Sequence, residues 1–130
     1  MKRFLIAFSI LFSLTSFPVP EPGLGFHSAC LESVERMLQQ LTQLQDPGSN
    51  VAQMNAAAAL VGEFRMEVQP MRGSTSFVKA DAEEAWELLD AIEAYAADED
   101  DLAVSFGIDF LVSTFSRMQT KLSKAVQNHR

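Results

Sequence analysis

Residues 104–125, VSFGIDFLVSTFSRMQTKLSKA, carry the pattern that decides the fold. Val104, Ile108, Leu111, Phe115, Met118, Leu122 and Ala125 recur at alternating steps of four and three. That spacing puts apolar side chains on one side of an α-helix. Asp98, Asp100 and Asp101 lie at its start, and Lys121, Lys124 and Arg130 near its end. Both sets of charges complement the helix dipole. Such a helix must bury its stripe against others.

Three further stripes lie upstream. The first spans residues 27–45, with Cys30, Val34, Met37, Leu41 and Leu44 on the seam. Residues 46–50, DPGSN, end it, and Ser49 or Asn50 is placed to cap the next helix by accepting its unpaired N–H groups. The second stripe, over residues 51–68, uses Val51, Met54, Ala58, Val61, Phe64 and Val68. Pro70 and Gly73 then predict a loop over residues 69–76. The third, over residues 77–97, aligns Val78, Ala82, Ala85, Leu89, Ile92 and Ala96, with Ser74 or Ser76 as its cap. Short connections make consecutive helices antiparallel. The expected fold is all-α, a small antiparallel up-down-up-down four-helix bundle over residues 27–130. A two-helix hairpin that completes its core as a homodimer is the alternative, because Phe106, Phe110 and Val112 extend the apolar surface of the last helix beyond its seam.

The beginning of the chain reads differently. Lys2 and Arg3 precede an apolar run over residues 4–14, FLIAFSILFSL. Eleven residues suit the core of a secretory signal and fall short of the roughly 20 that a membrane-spanning helix needs. Residues 1–16 are therefore read as a signal peptide, with cleavage placed after residue 16 or as late as residue 25. A Pro/Gly-rich leader over residues 17–26 follows, expected to be extended rather than helical. The protein is expected to be exported, to a periplasm or outside the cell, with no stable membrane span after cleavage.

The full chain of 130 residues has a net charge of −7. Without Lys2 and Arg3 the remaining basic residues oppose seventeen acidic ones, giving −9. An acidic body repels phosphate backbones, which disfavours nucleic acid as a partner. A basic protein is the better match on charge. Cys30 is the only cysteine, so no intramolecular disulfide can form and the core alone must hold the fold.

Motifs for catalysis are absent: the chain contains no G-x-S-x-G, H-E-x-x-H or C-x-x-C. An enzyme is not expected, and no cofactor is called for by any motif. The methionines are scattered and read as core filler rather than a copper site. The Asp98–Asp101 tract lacks the alternating ligands and central glycine of a calcium loop.

Two constellations remain. In an antiparallel bundle the start of the first helix is level with the end of the last. His27, Cys30 and His129 could then converge at one end, with Met37 about two turns inward, as nitrogen and sulfur ligands for a metal or haem iron. This plan resembles cytochrome b562, an exported haem-binding bundle with a Met on its first helix and a His near the end of its last. Met37 and His129 match those two positions, and the resemblance implies a haem carrier. The other constellation is the acidic side of the third helix: Asp81, Glu83, Glu84, Glu87, Asp90 and Glu93. Like charges at such spacing destabilise a helix slightly, and the side is expected to dock a basic protein partner. The favoured function is an exported interaction module; the metal or haem carrier is the alternative.

Overall fold

The computed structural model describes residues 22–45, 48–73 and 76–128. Four helices follow one another: α1 (Pro22–Leu44), α2 (Asn50–Val68), α3 (Lys79–Ala97) and α4 (Asp101–Asn128), with a 3-10 turn over Gln69–Arg72 between α2 and α3. No strand occurs among the described residues. The chain is an all-α four-helix bundle, as the stripes require. The expected signal peptide over residues 1–16 lies outside the described residues, as does the leader up to residue 21.

The remainder of the expected leader is helical. α1 begins at Pro22, five residues before the expected start at His27. Proline is well suited there, because its backbone angle is already helical and the N–H it lacks would be unpaired in a first turn. α2 and α4 start at side-chain caps, whereas α3 starts after Val78 without one. Ser49 accepts the Ala52 N–H at 3.1 Å and opens α2. Asp100 accepts the Ala103 N–H at 3.1 Å and opens α4. Ser76 accepts the Val78 N–H at 3.3 Å, and α3 begins at Lys79, two residues later than expected.

The turn from α3 to α4 is tight. The Asp100 N–H reaches back to the Tyr95 carbonyl at 2.9 Å, and Glu99 adopts a left-handed φ of 57°. This is a Schellman-type stop, in which the left-handed position usually belongs to glycine or asparagine.

α4 packs against all three other helices, whereas α1 barely touches α2. The α4 seam is buried from Val104 through Leu122 and continues on Val126. Phe115 is fully buried and meets Phe64 of α2 edge to face, ring centroids 6.2 Å apart. α3 contributes Val78, Ala82, Ala85, Leu89 and Ile92. In α2 the seam is Met54, Ala57, Val61, Phe64 and Val68, so the expected positions Val51 and Ala58 are exposed. The four consecutive alanines at 56–59 carry no pattern of their own, and the register is set by Met54, Val61 and Phe64 on either side. The expected loop over residues 69–76 contains the 3-10 turn, which inserts Met71 into the core at 1% exposure.

The helices are staggered. Gln45, just past the end of α1, donates to Asp109 of α4 at 3.0 Å, and Gln119 of α4 donates to Glu35 at 3.3 Å. α1 and α4 thus run antiparallel, with α1 ending level with Asp109. The eight residues of α4 before Asp109 run on beyond α1 by about 12 Å at the helical rise of 1.5 Å per residue.

Candidate functional site

The acidic side of α3 is largely engaged within the molecule. Asp81 is buried at 6% exposure, with Lys121 Nζ at 2.6 Å and Arg117 Nε at 3.4 Å. Glu84 accepts from Thr114 Oγ1 at 2.7 Å and Arg117 Nη2 at 2.9 Å. Glu83 pairs with Arg72 and Lys79, each at 3.1 Å. Arg65 of α2 grips Asp90 at 2.5 Å and Glu93 at 2.7 Å. Glu87 alone of the six has no ion pair among the described residues. α3 is therefore held between α2 and α4 by its carboxylates. The hydrogen bond from Thr114, followed by that from Arg117, lowers the Glu84 carboxyl below its usual range. Lys79 and then Arg72 do the same for Glu83, and Arg65 for Glu93. The sequence concealed these pairs because the cations lie 25 to 40 residues away in the chain, except Lys79 and Arg72.

Three of the four expected metal ligands, His27, Cys30 and Met37, fall among the described residues. Cys30 and Met37 both lie in the core, seven residues apart on α1, which separates them by about 10 Å along the axis. Burial pushes the Cys30 thiol up to about 12, against the deprotonation that metal binding requires. His27 packs edge-on to Phe77, ring centroids 4.8 Å apart. His129 lies outside the described residues. Among the described residues no group of three or more His, Cys, Asp or Glu is arranged to hold a metal ion.

The most distinctive surface lies at the opposite end. The pairs of Arg65 with Asp90 and Glu93, and of Arg72 with Glu83, show that α2 and α3 are antiparallel. The Thr114–Glu84 and Lys121–Asp81 contacts show the same for α3 and α4. The start of α2, the end of α3 and the start of α4 thus share one end of the bundle. Leu102, Phe106 and Phe110 stand there on successive turns of α4, exposed by 59%, 63% and 62%. Val51 and Tyr95, both exposed, belong to the same end.

Charge divides along the same axis. No Lys or Arg occurs between Arg36 and Arg65, nor between Lys79 and Arg117. The end that carries the apolar stripe has Asp98, Glu99, Asp100, Asp101 and Asp109 and no cation of its own. Arg72, Lys79, Arg117, Lys121 and Lys124 all belong to the other end. The sequence signal for this surface was the presence of Phe106 and Phe110 off the seam.

No protein-family model, curated protein or solved structure matches the chain. Among the described residues, no helix is long and apolar enough to cross a membrane.

Proposed function

We propose that the protein is an exported interaction module, without catalytic activity of its own, whose target is another protein. The observation that carries this reading is the stripe Leu102, Phe106 and Phe110, three large apolar side chains exposed by about 60% on consecutive turns. Single exposed apolar residues are ordinary, but a contiguous row of them marks a contact surface. Two of the three are phenylalanines, a residue type enriched in protein interfaces. The acidic side of α3 adds less than its six carboxylates suggest, since five are already paired. Export rests on Lys2, Arg3 and the apolar residues 4–14, and an intact mass lacking at least the first 16 residues would support it.

The interaction reading is tested by recovering partners from the native compartment with wild-type protein and with Phe106→Ser/Phe110→Ser. A recovered protein is then titrated by calorimetry against both. Loss of affinity in the folded variant supports the reading, and unchanged affinity for every recovered protein removes the stripe from it. A Soret band or stoichiometric metal in protein from its native source would instead favour the carrier built on His27, Cys30, Met37 and His129.

A further inference from the structure

We infer that the occupant of the α4 stripe is a basic amphipathic helix of the partner protein, its apolar side laid on Leu102, Phe106 and Phe110 and its lysines or arginines facing the carboxylates around them. This rests on the reading of the chain as an interaction module and adds the chemistry of the partner.

The geometry favours a helix. Leu102 and Phe110 stand eight positions apart, about 12 Å of helix or a little over two turns. A partner helix presents anchors at i, i+3, i+4 and i+7 over a similar length. Leu102, Phe106 and Phe110 lie on the side of α4 turned away from its buried seam of Val104, Ile108, Leu111 and Phe115, and each stands exposed by about 60%.

Charge selects the partner. Asp98, Glu99, Asp100 and Asp109 are exposed and Asp101 half-exposed, all within the span of sequence that holds no Lys or Arg. Unlike the carboxylates of α3, none of them forms an ion pair among the described residues. A second copy of the chain is disfavoured, because a two-fold contact brings the same patch against itself and sets carboxylate against carboxylate. A cationic helix gains both the apolar contact and the field.

The test uses three labelled helical peptides of about 18 residues with one leucine stripe. The residues flanking the stripe are Lys in the first, Gln in the second and Glu in the third. Anisotropy titrations should show the Lys peptide binding at least about tenfold more tightly than the Gln peptide, with the Glu peptide weakest. Phe106→Ser/Phe110→Ser should weaken it by about tenfold or more, and Leu102→Ser alone should weaken it less. Asp98→Lys/Asp101→Lys should act mainly by slowing association, as should added salt. Far-UV circular dichroism confirms that each variant remains folded.

Equal binding of the Gln and Lys peptides overturns the basic partner while leaving the stripe as a contact surface. The inference is overturned in the same way if no peptide binds yet a recovered native partner still depends on Phe106 and Phe110. If no peptide binds and no recovered partner depends on them, the interaction reading falls with the inference. A dimer in sedimentation equilibrium that Phe106→Ser/Phe110→Ser dissolves would make the occupant a second copy and overturn the inference.

Discussion

The backbone of Gly107 in α4 rests directly on the side chain of Ile92 in α3: a Cβ built on the glycine would stand 2.8 Å from Ile92 Cγ1 and 3.4 Å from Cδ1. Two opposing effects meet at this position. Alanine in a helix interior is favoured over glycine by about 1 kcal/mol. Ile92 is only 1% exposed and stiff at its branched Cβ, so admitting the methyl requires a packed side chain to shift.

Gly107→Ala is therefore expected to lower stability by about 1–2 kcal/mol, the crowding term outweighing propensity. Urea unfolding of the single variant and of Gly107→Ala/Ile92→Ala measures it. The double variant should cost less than the two single costs combined, because the methyl enters the space vacated by Ile92. A Gly107→Ala protein more stable than the parent would mean that Ile92 gives way into the small apolar cavity it lines with Leu89 and Ile108, at less cost than the gain in helix propensity.

Phe115→Ala should lose about 3–5 kcal/mol, the usual penalty for emptying a buried aromatic site. Phe115 is fully buried against Phe64, and it lies mid-way along the helix that touches all the others. Phe106→Ala, at 63% exposure in the same helix, should change stability by less than about 0.5 kcal/mol. Thermal or denaturant unfolding distinguishes the two, and similar costs would refute the register of α4.

Glu99→Gly should raise stability by about 1 kcal/mol. Glu99 holds a left-handed φ of 57°, a conformation that costs residues with a Cβ about 1–2 kcal/mol. Part of the gain is returned through the greater freedom of glycine in the unfolded chain. An unfolding midpoint below the parent's would show that the Glu99 side chain contributes contacts worth more than the strain.

Acid should weaken the fold in a defined window. The Glu84 carboxyl sits below its usual range, first through the Thr114 hydroxyl and then through Arg117. The unfolded chain thus holds its proton to a higher pH than the folded one. The stabilisation is complete above the unfolded carboxylate value, about 4.3, and is lost as pH falls through the lower folded value. Glu83 and Glu93 act in the same direction. The denaturant midpoint should fall between about pH 5 and pH 3, and Glu84→Gln should flatten that fall.

The Cys30 thiol should be inert in the native protein. It is 4% exposed and burial raises it to about 12, so the reactive thiolate is scarce at neutral pH. A disulfide reagent at about pH 8 should label it at least a hundredfold more slowly in buffer than in denaturant. Fast labelling of the folded protein would put Cys30 at the surface and reopen it as a ligand.

Much of the bundle is legible in the heptad spacing. The α4 and α3 seams are buried as their 4-3 steps require over most of their length, because each is anchored by large side chains such as Ile108, Phe115, Leu89 and Ile92, but their last expected positions, Ala125 and Ala96, are only partly buried. The α2 seam departs from its expected positions at Val51 and Ala58, where the alanine run offers no contrast between faces. The helical start at Pro22 is hidden in the sequence because a proline that breaks a helix interior is compatible with its first turn. The candidate surface is only half legible. Phe106 and Phe110 are visible as excess apolar residues off the seam, but only the packed bundle shows that no described helix covers that side of α4. The ion pairs of α3 are hidden for the same reason, since tertiary alignment brings Arg65, Arg117 and Lys121 to it.

The stagger of α1 also sets an order of assembly. α2 reaches α3 through the 3-10 turn and α3 reaches α4 through three residues, so these helices can pack as each follows the last. α1 meets α2 through the Arg36–Glu67 ion pair and the Gln53 bond to the Leu44 carbonyl, but packs far more extensively on α4, whose contacts with it close loops of 64 and 84 residues. Loop-closure entropy makes such distant pairings late events in folding. α1, made before the three helices it joins, is then the one that docks last, and Val34, Met37 and Leu41 stay largely uncovered until α4 has emerged.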